Sequence, residues 1–451
     1  MARFIDPYRL APPLVALSAF LALTGLYLSG GHDVYEAIIR FWGVTPGSFG
    51  PFLDMHGLTA AWQCHRLGID VAVSDPCDVM RRPFNYGPLW LPLAYLAPGP
   101  GFGDALGWGC GFMFIASLFA LPPAKSLIET GLRVAATLSP MVVFALERGN
   151  PDLVIFMLAL LVGVLAASPS RLRFGAYALI IIAGLLKYYP FALLALTLRE
   201  RPARFIAVNL AALASAALMA ALYWSDLVRG MPLIAAGPYF TDLFAAKNLP
   251  FGLVAALGTL AGYAPDTPPP GASLLAGALF LLLTAACIAL AARILALPEW
   301  RPTLAKLTPF ESSFLLIGGL LVCGCFFAGQ SISYRGTLLL LVLPGFLALR
   351  RHAHGPGLKR LCTAAGMVTV FLMWRVFLRV HFVELLELAG LPGTMVSALR
   401  LEFWMACELA WWFLVAMIGA AIVSRLAETG TGCEIDRRLR GLVPRVSRAS
   451  D

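Results

Sequence analysis

The run LAPPLVALSAFLALTGLYL, Leu10 to Leu28, is followed by a polar interruption from about Gly30 to Gly103 before apolar sequence resumes. A helix rises 1.5 Å per residue and needs roughly 20 apolar residues to cross the hydrocarbon of a bilayer, so the first run reads as a span. Of the 451 residues, 59% are hydrophobic and 13% charged, and the mean hydropathy is +0.80. A soluble domain carries roughly 25% charged residues, so this surface cannot face water throughout. The apolar segments are continuous Leu/Ala runs without period-2 alternation, which excludes a β-barrel. The fold class is all-α and polytopic in the membrane.

Further candidate spans are 104–122, 133–147, 150–167, 174–187, 189–198, 204–224, 271–293, 310–328, 336–350, 361–379 and 400–423. Several are short, so the expected number is about 10 to 13 in one transmembrane domain over 1–451. The pair 174–187 and 189–198 suggests a broken helix or re-entrant hairpin around Lys187-Tyr188-Tyr189-Pro190, a backbone tolerated only where protein or a water-filled cavity surrounds it. Arg3 and Arg9 precede the first span without a convincing cleavage pattern after it, which reads as a retained signal anchor.

Charge sets the expected orientation. Lys125, Arg133, Arg171, Arg173, Arg199, Arg201, Arg204, Arg293, Arg301, Lys306, Arg350, Arg351, Lys359, Arg360 and the basic tail within 424–451 fall on one side of a twelve-span topology. The positive-inside rule makes that side cytoplasmic. The expected location is a bacterial inner (plasma) membrane, with the 30–103 loop facing the periplasm or exterior. A second outer loop, about Ser225 to Gly271, carries Tyr239-Phe240, Lys247-Asn248-Leu249-Pro250 and Pro268-Pro269-Pro270. The net charge of +9 is spread over these short loops and suits anionic lipid headgroups, not nucleic acid.

The nine cysteines show no metal-ligand spacing, and no metal or cofactor is expected. Cys110, Cys287, Cys323, Cys325, Cys362 and Cys407 lie in apolar stretches as small buried hydrophobes. Cys64 and Cys77 share the long loop and would pair if it faces an oxidising compartment. Gly101 to Gly111 lacks the strand and Gly-Lys-Ser of a nucleotide loop and reads as close helix packing.

The residues able to do chemistry cluster in the loops. Asp54, flanked by Phe52, Leu53 and Met55, is either a general base held at the membrane face or a helix cap. Asn85-Tyr86-Gly87-Pro88-Leu89-Trp90 offers interfacial anchors or an aromatic wall for a sugar ring. Arg148-Gly149-Asn150-Pro151-Asp152 is an anion site at a helix start, a capped turn with Asn150 as cap, or both. Lys187 and, beside Ser333-Tyr334, Arg335 are cations at outer span ends, where phosphate binding competes with snorkelling. Arg375 lies mid-span and needs a partner or a cavity. His56 and His65 lack metal-site spacing.

The order of these motifs resembles glycosyltransferase family 87. An acid in the first outer loop is followed by Asn85-Tyr86-Gly87-Pro88, Arg148-Gly149-Asn150, then Gly184-Leu185-Leu186-Lys187-Tyr188-Tyr189-Pro190 and Arg199 to Arg204. The family's pattern is roughly an Asp, an Asn-Tyr-Pro-Pro, a Gly-Gln-Asn or Arg-Gly-Asn and a Lys-x-x-Pro. The similarity covers about Phe52 to Arg204 and is weaker around Asn248-Leu249-Pro250 and Tyr334-Arg335. Gly87 departs from it by replacing the first proline.

The resemblance implies a GT-C fold and transfer of a mannose-like hexose from a polyprenyl-phosphate-linked sugar donor to a glycolipid or glycan acceptor; direct displacement of the phosphate would invert the anomeric centre. Asp54 would be the catalytic base. Lys187, Arg335 and Arg148 would hold the donor phosphate, and His56, Asn85, Tyr86, Asn150, Tyr188 and Tyr334 would contact substrate. The chief rival is a secondary transporter or flippase for a lipid or envelope precursor, which would show internal repeats and mid-membrane binding residues. No repeat is visible, and Arg375 is the main feature on that side. A non-catalytic scaffold for envelope polysaccharide assembly, a lipid-linked O-antigen ligase and an aminoarabinose-type transferase are further alternatives.

Overall fold

A computed structural model describes residues 7–47, 50–96, 99, 101–168, 172–230, 242–263, 269–434 and 437. Arg3, Arg171, Tyr239-Phe240, Pro268 and the basic stretch from Arg438 to Arg448 lie outside the described residues. The helices are α1 (Pro7–Leu28), α2 (His32–Phe41), α3 (Leu53–Arg66), α4 (Phe102–Ser117), α5 (Leu127–Thr137), α6 (Pro140–Arg148), α7 (Asp152–Ala166), α8 (Arg173–Leu186) and α9 (Pro202–Leu222). They continue with α10 (Trp224–Gly230), α11 (Asn248–Leu260), α12 (Ala272–Leu295), α13 (Trp300–Ala305), α14 (Pro309–Ala328), α15 (Leu339–His352), α16 (Pro356–Leu388) and α17 (Gly393–Ala427). Three-residue-per-turn helices span Pro88–Leu96, Tyr189–Arg199 and Ser333–Leu338.

Seven helices are long and apolar enough to cross a membrane, or eight if α5 and α6, bent by 41° at their junction, form one span. The chain is an all-α, multi-pass membrane protein. Each span expected from sequence coincides with helix, but fewer than the expected ten to thirteen are long enough. The shortfall lies in α7, α8, Tyr189–Arg199 and α15, of 15, 14, 11 and 14 residues. At 1.5 Å per residue, or about 2 Å in the Tyr189–Arg199 helix, none reaches the roughly 30 Å of hydrocarbon. They are covered by protein instead: Leu339 to Leu349 is buried throughout, and α7 buries Leu153, Ile155, Phe156, Ala159 and Val162. Arg173 at the start of α8 meets Glu200 at 3.0 Å, just past the end of Tyr189–Arg199. The Lys187-Tyr188 break therefore turns a hairpin, one of the two alternatives read from sequence.

Charge pins the end of the bundle remote from this hairpin's turn. Arg351 of α15 binds Glu129 at 2.7 Å and also Glu311, while Arg425 donates to Ser312 Oγ at 2.8 Å. Arg375 on α16 is buried and pairs with Glu408 of α17 at 3.5 Å. It donates to the Leu243 carbonyl at 2.6 Å. That carbonyl belongs to β1 (Leu243–Phe244), antiparallel to β2 (Ser331–Ile332), with Leu243 opposite Ile332. Arg375 thus anchors the return of the second loop into the bundle, which accounts for the cation that spoke for transport.

The 30–103 interruption is built, not loose. It holds α2, α3 and the Pro88–Leu96 helix, and Cys64 and Cys77 form a disulfide. Gly107 and Gly111 of α4 are packed against the rings of Phe52 and Phe20, so the glycine run serves close packing. Phe52 adopts φ +66°, sparsely populated for a bulky residue, and its N–H reaches the Glu147 carbonyl at 2.5 Å. This kink starts α3 beside the end of α6. A disulfide closing a loop of this size contributes about 3 kcal/mol in the chain-entropy account. Cys64→Ser with Cys77→Ser is therefore expected to speed protease nicking between Gly68 and Arg81 and to lower the stability read by thermal melting by up to about 3 kcal/mol. Equal nicking rates would remove the staple's role.

Candidate active site

Asp54 sits in the first turn of α3, where its carboxylate would ordinarily cap backbone amides. Here it reaches outward instead. One oxygen accepts from Asn150 Nδ2 at 2.6 Å and the other from Arg82 Nη1 at 3.3 Å. Arg82 is fixed by Asp78, with Nε to Oδ2 at 2.8 Å, and by the Leu53 carbonyl at 3.0 Å. Burial alone would lower the Arg82 pKa, but its bonds to Asp78 and the charges of Asp78 and Asp54 outweigh burial and raise it. Two carboxylates around one guanidinium leave this side of the site negative.

Asn150 links this group to a second one. Its carbonyl oxygen accepts the Asp152 amide at 2.8 Å, capping α7, while its amide holds Asp54. The capped turn and the site are thus the same structure, as the sequence allowed. Asp152, only 2% exposed, receives Lys187 Nζ at 2.8 Å, Arg335 Nε at 3.3 Å and the Tyr189 hydroxyl at 2.8 Å. Arg335 also donates to Ser331 Oγ at 3.0 Å. Lys187 lies over the Tyr86 ring, 5.0 Å from its centroid, and Arg335 over that of Tyr189 at 5.2 Å. Two cations sharing one carboxylate leave this side positive by about one charge.

Both groups open on one cavity of about 600 Å³. Asp54, Arg82, Asn85, Tyr86, Lys187 and Arg335 line it, as do Arg148, Tyr188, Tyr189 and Tyr334. Burial, reinforced by Asp54, pushes the Tyr86 phenol well above its usual range, so it presents a neutral hydroxyl. A carboxylate and surplus positive charge on one cavity suit a reaction in which an acceptor loses a proton while a phosphate gains charge.

Gly87 explains the departure from Asn-Tyr-Pro-Pro. Its N–H donates to the Leu186 carbonyl at 3.0 Å, and Trp90 Nε1 adds a second bond to that oxygen at 3.2 Å. A Cβ at Gly87 would collide with the Leu185 and Leu186 carbonyls. The loop therefore seats directly on the end of α8, next to Lys187, and proline would lose the bond as well as clash. Overpacking of this kind typically costs 1–3 kcal/mol. Gly87→Ala is expected to lower thermal stability by about that much, and an unchanged melting temperature would show that the seat is loose.

The remaining residues selected from sequence fall differently. Arg148 lines the cavity, but its guanidinium is engaged by Glu147 at 3.4 Å and the Thr45 carbonyl at 3.3 Å, and stacks on Phe144. His56 lies apart from this cavity: it pairs with Asp104 at 3.0 Å and lines a neighbouring pocket. Two residues along a helix is about 200° of rotation, so Asp54 and His56 cannot share a face of α3. Among the described residues, the one cluster with metal-like proximity is Cys64, Asp75 and Cys77, and two of its members form the disulfide.

Sequence reasoning passed over Arg82, Asp78 and Tyr189, and it read Asp152 only within the Arg148–Asp152 cluster, as an anion site, a capped turn or both. Arg81-Arg82 after Asp75-Pro76-Cys77-Asp78 was a visible signal, since a cation four residues from an acid can fold onto it. Nothing in the sequence marked Asp152 as the partner of both Lys187 and Arg335. No protein-family model, curated protein or solved structure matches this chain.

Proposed function

We propose that this protein is an integral-membrane glycosyltransferase of GT-C type that uses a polyprenyl-phosphate-linked sugar, a mannose-like hexose, and works on the extracytoplasmic face of a bacterial inner membrane. The observation that carries this reading is the shared cavity, lined by Asp54 and Arg82 together with Lys187 and Arg335. The order of sequence motifs resembling glycosyltransferase family 87 supports it. So does the Cys64–Cys77 disulfide, which suits an oxidising compartment.

In the proposed reaction an acceptor hydroxyl attacks the anomeric carbon from the side opposite the phosphate. The new C–O bond forms as the sugar–phosphate bond breaks, and its electron pair leaves with polyprenyl phosphate. The departing phosphate goes from one negative charge to two, and Lys187 and Arg335 supply the compensating field. The hydroxyl proton passes to Asp54, whose Arg82 and Asn150 bonds fix its orientation and leave lone pairs toward the cavity. Displacement in one step inverts the anomeric centre.

The test is transfer by purified protein in nanodiscs, using a panel of polyprenyl-phosphate hexoses and a glycolipid acceptor. Transfer with an inverted linkage supports the reading. No transfer from any donor, together with substrate uptake or lipid translocation in proteoliposomes, replaces it with a transporter or flippase.

A further inference from the structure

A second cavity, of about 380 Å³, lies against the first. Phe84, Asn85, Tyr86 and Tyr188 line both, so one thin wall of aromatic and amide groups separates them. The rest of its lining comes from His65 near the end of α3, Gly68 to Ala72 after it, Pro88 and Leu91 of the Pro88–Leu96 helix, and Asp226, Leu227 and Arg229 of α10. The Phe84 N–H to Val71 carbonyl bond, 2.8 Å, holds the two loop strands that form its floor.

The two cavities differ in charge. In the second, Arg229 is taken by Asp70 at 2.5 Å and by Asp226 at 3.3 Å, which leaves no surplus cation. A phosphate would find no counter-charge there. A neutral polyol would find carboxylate and amide acceptors from Asp70, Asp226 and Asn85, with the half-exposed Tyr188 and the Phe84 ring offering flat apolar faces for sugar C–H groups. Its volume lies within the roughly 300–1,000 Å³ of small-molecule sites.

We propose that this second cavity is the acceptor subsite: it binds the uncharged sugar end of a glycan or glycolipid and delivers its hydroxyl past the Asn85–Tyr86–Tyr188 wall to Asp54. This rests on the glycosyltransferase reading and adds the acceptor's chemistry to it. The site lies outside the cation pair, so donor and acceptor binding are separable by mutation.

Asp226→Asn and Leu227→Trp each alter this cavity alone. Saturation-transfer NMR with a panel of methyl hexosides, on protein in nanodiscs free of sugar detergents, reads acceptor binding without any reaction. Binding of at least one hexoside to the wild type, weakened about tenfold or more by Leu227→Trp and less by Asp226→Asn, is the expected result. In the transfer assay the same variants should raise acceptor KM about tenfold while donor KM stays within about twofold. Hexoside binding indifferent to both variants, no hexoside binding at all, or a raised donor KM with unchanged acceptor KM would overturn the assignment. Wild-type transfer that persists in those cases leaves the glycosyltransferase reading standing. Hexoside binding at this cavity without transfer from any donor would instead remove the reaction and keep the sugar site.

Discussion

Asp54→Asn is expected to lower sugar transfer by about 10²- to 10⁴-fold, the usual contribution of a positioned general base. The substitution preserves shape and removes the proton acceptor. An asparagine cannot accept from Arg82 and Asn150 through both of its terminal atoms, so one of the two bonds, at 3.3 Å and 2.6 Å, is lost. That local loss should be worth about 1–3 kcal/mol and affect folding far less than chemistry. Donor binding, which the proposed reaction assigns to Lys187 and Arg335, should change only a few-fold. Single-turnover transfer and donor binding by the same preparation measure the two separately. A variant that transfers at the wild-type rate removes Asp54 from catalysis, and one that loses donor binding in proportion to activity moves it to the donor site.

Asp152→Leu should destabilise the protein by about 3–5 kcal/mol, the cost of leaving a buried ion pair with one partner missing. The carboxylate is 2% exposed and takes Lys187 at 2.8 Å, so its removal strands an ammonium that is itself buried. Arg335, a quarter exposed at its side chain, can turn to the cavity and suffers less. Adding Lys187→Met to Asp152→Leu should return much of the lost stability, because an apolar pair replaces the stranded charge. Thermal unfolding of the two single variants and the double variant in nanodiscs closes the cycle. Strict additivity would mean that the two residues do not support each other, and the positive end of the cavity would need another explanation. Asp152→Asn keeps the shape and the reach to Tyr189 but not the charge, and should fall between wild type and Asp152→Leu.

These variants also show how unevenly the site was legible. Asp54, Lys187 and Arg335 stood out because a charge beside apolar sequence costs free energy unless it has a partner or a task. Asp152 did not stand out, because an acid after Asn-Pro at a helix start is satisfied locally and looks complete. Its two cations come from residues 35 and 183 positions further along the chain, and no local pattern encodes such a meeting. His56 lies two residues from Asp54, and the helical rotation between them sends it to another pocket.

The sequence by itself determined that this chain is an all-α membrane protein with one elaborate loop after its first span, because too few charges exist to cover it and the apolar runs repeat at span length. Composition also marked the loop as the place where polar chemistry accumulates. Only the tertiary structure decided which short helices are sheltered by others, that Arg375 anchors the returning second loop, and that Asn150 ties the Asp54 carboxylate to the backbone amide of Asp152. The physical reason is range. Hydrophobicity acts residue by residue and is written locally, whereas an ion pair or a hydrogen bond depends on which distant atoms the packed helices bring within about 3 Å.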